Sequence, residues 1–121
     1  MQYVMLFHEN VEAIQSRDHE FQQAYWAAWG AYSKALTEAG VSLNGAALQP
    51  PHTATTVRLK DGQRQVQDGP YAEAKEQLGG YILIEVENLD EALDWAARCP
   101  VTADGAVEVR PVMPVLPMNE L

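Results

Sequence analysis

The chain predicts a single α+β domain with its helices on one face of an antiparallel sheet. Three observations carry this. Segments with two-residue apolar alternation are interleaved with segments of three-and-four spacing, in the order strand, long helix, strand, hairpin, strand, shorter helix, strand. Apolar residues make up 47% of the 121, enough for one core and one domain. No internal repeat, low-complexity tract or linker divides the chain, so residues 1–113 form the domain and 114–121 an extended, Pro-rich tail.

The first segment, Gln2 to His8, carries Tyr3, Met5 and Phe7 on one face and Val4 and Leu6 on the other, the pattern of a central strand. Ser16 then caps a helix predicted to run to about Ala39. Its apolar stripe is Phe21, Tyr25, Ala28, Trp29, Tyr32, Leu36 and Ala39, with Gly30 on the side away from it. Gly40 stands where a left-handed C-terminal cap belongs.

A strand over Val41 to Gln49 is broken by Pro50-Pro51. Thr53 to Lys60 and Arg64 to Gln67 flank Asp61-Gly62, a hairpin signal, and Asp68-Gly69-Pro70 makes a second turn. Tyr81 to Glu87 alternates, with Ile82, Ile84 and Val86 on one face. Asn88 and Glu91 open a second helix as a capping box, with Leu89, Ala92, Leu93 and Ala96 inward and an end before Pro100. Val107 to Val112 is the last strand.

With the hairpin set aside, this order is the split βαβ, ferredoxin-like plan. Helices cover one sheet face only. Face-to-face pairing of two copies covers the other, so the expected assembly is a homodimeric α/β barrel.

The formal net charge is −9, from 17 acidic and 8 basic residues. Such a surface repels phosphate backbones and anionic lipid, so no nucleic-acid or membrane partner is expected. The N-terminus has no basic region followed by a long apolar run, and the cytoplasm is the expected location. Cys99 is the only cysteine, which excludes an intrachain disulfide, and its place at a helix end predicts a packed thiol.

His8, His19 and His52 share no helix face and no metal-ligand spacing, so no metal is expected. Gly79-Gly80 precedes a strand, the wrong order for a dinucleotide loop, and no other cofactor motif is present. The segment Asp68 to Tyr81 concentrates turn residues, aromatic rings and alternating charge, and function favours such loops. Its candidates are Asp68, Tyr71, Lys75 and Glu76. Glu85 and Arg110, expected together on the face away from the helices, and His8 at a strand end are candidates for a cleft between two sheets.

Asp68-Gly69-Pro70-Tyr71 resembles the signature of the DGPF-domain proteins within the YCII-related family, with Tyr71 in place of phenylalanine. The likeness extends through Leu48-Gln49-Pro50-Pro51, Lys75 to Tyr81, Leu89 to Pro100 and Val107 to Pro111. It implies a ferredoxin-like dimeric α/β barrel and a link to extracytoplasmic-function sigma factors. Some YCII relatives carry a proposed His–Asp dyad with the histidine on the long helix. Counting back from Gly40, that position here is Trp29, so the resemblance brings no catalytic pair. Three functions stay open, the first two being a small-molecule enzyme or binder using a cleft of the homodimer and an accessory protein acting with a sigma factor. A dimer module without ligand is the third.

Overall fold

The computed structural model describes residues 1–115 and 119. β1 (Gln2–Asn10) pairs on one side with β5 (Glu76–Glu85) and on the other with β6 (Ala106–Pro111). β2 (Ser42–Ala47) adds to the outside of β5, giving a four-stranded antiparallel sheet of order β2-β5-β1-β6. This is the ferredoxin-like arrangement. The helices are α1 (Val11–Ser16), α2 (His19–Glu38) and α3 (Leu89–Ala97). β3 (Thr55–Lys60) and β4 (Gln63–Asp68) form a separate two-stranded ribbon inserted between β2 and β5.

The core lies between the sheet and the helices. Tyr3, Met5 and Phe7 of β1 meet Ile84 of β5, Tyr32 and Leu36 of α2, and Ala92 and Ala96 of α3. Each large side chain fully buried there contributes about 1.5–3 kcal/mol relative to exposure. The buried Tyr32 hydroxyl donates to the Trp95 carbonyl oxygen at 2.7 Å, tying α2 to α3.

The turn chemistry follows the sequence closely. Asp61 and Gly62 both take positive φ, 52° and 76°, as a hairpin turn matched to strand twist requires. Gly40 ends α2 at φ 71°. Asn88 Oδ1 accepts from the Glu91 N–H at 2.9 Å, while the Glu91 carboxylate reaches back to the Glu87 N–H at 3.0 Å. Cys99 is buried, and burial pushes its thiol up to about 11, so it stays protonated and inert at neutral pH.

Several boundaries differ from the sequence reading. The long helix starts at His19, and a short helix that the sequence reading did not expect precedes it. Arg17 and Asp18 are extended, Asn10 caps α1, and Asp18 caps α2 through the Phe21 N–H at 2.7 Å. Ser16 caps nothing; its hydroxyl donates to the Ala13 carbonyl oxygen within the last turn of α1. Asp18 wins because Arg17 is drawn away from the helix axis into an ion pair with Asp104.

β1 runs two residues further than expected and β5 starts at Glu76, because the two ends pair with each other as far as Asn10 and Glu76. On α2, Tyr25, Tyr32 and Leu36 are buried, whereas Phe21, Ala28 and Ala39 are exposed. Leu89 and Leu93, expected inward, are both 46% exposed; the short α3 turns Ala92, Ala96 and part of Trp95 to the core instead. Val4 and Leu6 are only partly buried, since no helix covers their side of β1. Most of the expected tail, 114–121, lies outside the described residues.

Candidate functional site

α2 and α3 do not cover the whole helix side of the sheet. Over β2 and β5 they leave a cleft of about 1370 Å³. Its floor is built from small residues: Gly45, Ala46 and Ala47 of β2, and Gly79 and Gly80 of β5. Closeness of the two strands demands the glycines. A methyl group at Gly45 would lie 2.6 Å from the Tyr81 carbonyl oxygen, and one at Gly80 2.6 Å from the Ala46 carbonyl oxygen. α2 supplies one wall through Trp26, Trp29, Gly30 and Ser33, and the turn around Pro50, Pro51 and His52 supplies the opposite rim. Gly30 faces open space, with nothing within 4 Å of where its Cβ would be.

Aromatic rings line the inner wall. Trp29 meets Phe7 edge-on at 5.0 Å between ring centres, and Tyr25 at 6.4 Å. One end of the cleft is charged. The Arg17 guanidinium bonds both Asp104 carboxylate oxygens, at 2.9 and 3.0 Å, and lies over the Tyr25 ring at 4.2 Å. Its side chain is 8% exposed, and its Nε has no hydrogen-bond partner among the described residues.

The Tyr25 hydroxyl, on a residue 7% exposed, is also unpartnered. Burial holds the phenol above its ordinary pKa. The Trp29 indole and the Arg17 guanidinium pull the other way, without reaching hydrogen-bond geometry to the oxygen.

Glu9 completes this end. The pairing of β1 with β5 slips between Phe7 and His8, which face Gly80 and Leu78, so Gly79 is the extra residue of a bulge. The Glu9 carboxyl lies over that glycine, and a methyl at Gly79 would come 2.5 Å from its carboxyl carbon. Burial raises the Glu9 pKa, Arg17 opposes the rise and Asp104 adds to it; the net shift is upward.

Of the residues singled out from the sequence, Asp68 lines the cleft, at its mouth. The neighbouring loop lines it through Gly69, Pro70 and Glu73. Tyr71 lies outside it, 75% exposed, with the Arg58 guanidinium 4.8 Å over its ring. The Lys75 carbonyl oxygen accepts from the Val11 N–H at 2.9 Å while its side chain is exposed, and Glu76 opens β5 opposite Asn10.

His8, Glu85 and Arg110 are on the sheet face without helices. His8 Nε2 is 2.9 Å from Glu108 Oε1, and Arg110 Nε is 3.8 Å from Glu108 Oε2. Glu85 and Arg110 do not pair. Glu85 faces Gln2 from one flank of β1 and Arg110 faces Val4 from the other, and Glu85 sits 3.7 Å from the terminal amine.

Glu9, Arg17, Tyr25 and Asp104 were not legible as a site. The Gly79-Gly80 pair inside a strand is the one signal of the bulge that seats Glu9. Among the described residues no group of three or more His, Cys, Asp or Glu side chains is placed to hold a metal ion, and no helix is long and apolar enough to cross a membrane.

Three comparisons bear on the fold and the family. A protein of Rhizobium meliloti (strain 1021), itself uncharacterised, is 35% identical over 114 residues, covering 93% of this chain and 92% of its own. Among solved structures, the 5-chloro-2-hydroxyhydroquinone dehydrochlorinase of Burkholderia phenoliruptrix AC1100, in complex with 2,5-dihydroxybenzoquinone, is similar with a TM-score of 0.55 at 18% identity. That match covers 93% of this chain and 94% of the enzyme, and it shows the shared fold. The model of the YCII-related domain matches residues 1–116, nearly the whole length, and with the relative it establishes that the chain belongs to the YCII-related family.

Proposed function

We propose that the protein binds, and chemically transforms, a small ring-bearing molecule in the cleft over β2 and β5. The observation that carries this is the cleft itself, whose wall of Phe7, Trp29 and Tyr25 runs into the Glu9 carboxyl at one end. An apolar trough ending in a few convergent polar groups with shifted pKa values is the ordinary form of a small-molecule site. The dehydrochlorinase with this fold binds a hydroxylated quinone, which supports the same ligand class here. This cleft is on the helix side of the sheet, not on the face that carries His8, Glu85 and Arg110.

2,5-Dihydroxybenzoquinone is the first probe to titrate. Ligand at a hundred times its Kd stabilises a folded protein by about 2.7 kcal/mol, so a melting temperature rise of roughly 10 °C is expected. Trp29→Ala, compared with its own ligand-free melting temperature, should weaken binding about tenfold through lost ring contact. No shift with this probe or with a panel of phenols and quinones would overturn the reading.

A homodimer is part of the proposal. Val4, Leu6, Tyr81 and Leu83 form a half-exposed apolar sheet face, and Val57, Leu59 and Val66 of the β3–β4 ribbon are 58%, 76% and 57% exposed. A two-stranded ribbon on its own is marginally stable in water. Static light scattering at micromolar concentration should give twice the 13.4 kDa chain mass; the single-chain mass would contradict the pairing.

A further inference from the structure

Several titratable side chains touch the cleft, and their settings differ. Asp68, Glu73 and His52 are at its mouth and exposed. Arg17 is committed to Asp104. Glu9 alone is a carboxyl lodged at the charged end, half-buried, seated on the backbone of the bulge at Gly79 and beside the aromatic wall.

We propose that Glu9 is the proton-exchanging group of this cleft, and that the ring it serves carries an ionisable hydroxyl of the phenol or enol class. The proposal rests on the reading of the cleft as a ring-binding site. In the step, the ring O–H bond breaks and an O–H bond forms on the Glu9 carboxylate. The electron pair stays on the ring oxygen as an oxyanion. Net charge is conserved within the cleft, so the transfer needs no oxidant, reductant or counter-ion from outside.

The surroundings suit that exchange. The groups facing Glu9 are Arg17 from the α1–α2 junction, Tyr25 from α2, Asp104 from the turn before β6 and Cys99 from the end of α3. Arg17 is the one cation in this set. Its Nε and the Tyr25 hydroxyl are buried donors with no partner among the described residues, each on a side chain or residue at least nine-tenths buried. Buried donors without partners are uncommon and costly, and the ring oxyanion formed at this end of the cleft would draw on both. The upward shift of Glu9 brings its proton affinity closer to that of a phenol, which is the match proton transfer favours.

The test uses 4-nitrophenol, colourless as the phenol and yellow as the phenolate, with binding followed separately by quenching of tryptophan fluorescence. At a pH below the free probe's own ionisation, wild type should bind it and turn yellow without releasing a proton to a weak buffer. Glu9→Gln should bind with the yellow form reduced tenfold or more, and Glu9→Asp should restore part of it.

A second readout needs no ligand. Glu9 is raised when folded, so its ionisation opposes folding: its contribution is fully present below the ordinary value of 4.5 and lost as pH rises through the raised value. Glu9→Gln should therefore melt above wild type at neutral pH and match it in acid. Equal colour and affinity in wild type and Glu9→Gln would overturn the assignment and leave the cleft reading standing. Failure of wild type to bind 4-nitrophenol at any pH would overturn the assignment, and failure of the phenol and quinone panel as well would overturn both.

Discussion

Asp104→Ala should destabilise the protein by about 3 kcal/mol, the lower end of what removing one partner of a buried ion pair costs. The lower end applies because the Asp104 side chain is 27% exposed whereas Arg17 is 8% exposed. The substitution strands a guanidinium that already has an unpartnered Nε and that is packed on the rings of Phe21 and Tyr25. For a domain of this size, the melting temperature should fall by roughly 10 °C. Replacing both partners, Arg17→Met with Asp104→Ala, should recover most of the loss, since an apolar side chain leaves no buried charge unpaired. A wild-type melting temperature for Asp104→Ala would mean that the pair carries no structural role.

Leu36→Ala should have a comparable effect through a different mechanism. Leu36 has no exposed surface and joins Met5, Phe7 and Ile84 in the core between α2 and the sheet. Truncation removes its transfer free energy and leaves a cavity, together about 2–5 kcal/mol. The midpoint of urea unfolding should drop with little change in slope, because the surface exposed on unfolding hardly changes. Leu93→Ala, on the outer side of α3 and 46% exposed, is the matched control and should cost less than about 1 kcal/mol.

Both variants bear on how far the chain could be read in advance. Element order and turn chemistry were legible because they are local: alternation marks β1 and β5, and Asp61-Gly62, Gly40 and Asn88 declare their conformations within a few residues. The short α1 and the start of α2 after Asp18 were not legible. Ser16 and Asp18 are both good helix caps, and what decides between them is Asp104, 87 residues away from Arg17. Leu89 and Leu93 fit a helical stripe, yet with α3 only 9 residues long the small Ala92 and Ala96 make the closest approach.

The candidate site was only partly legible, for a similar reason. Asp68 and its turn were visible as a concentration of loop-forming residues. The cleft was not, because it is made by side chains that are missing: Gly45, Ala46 and Ala47 read in sequence as part of an ordinary strand, and Gly79-Gly80 as punctuation before one. Glu9 looked like one more surface acid at a strand end. Its placement depends on a one-residue slip between Phe7 and His8 that leaves Gly79 beneath its carboxyl.

The three tryptophans provide the most direct test of the cleft. Trp26 and Trp29 line it, whereas Trp95 lies outside it, under the Arg98 guanidinium at 4.3 Å. In a titration of ¹⁵N-labelled protein with 2,5-dihydroxybenzoquinone, the indole N–H signals of Trp29 and Trp26 should shift while that of Trp95 stays fixed. A shift confined to Trp95, or to His8 and Glu108 on the opposite sheet face, would contradict the account.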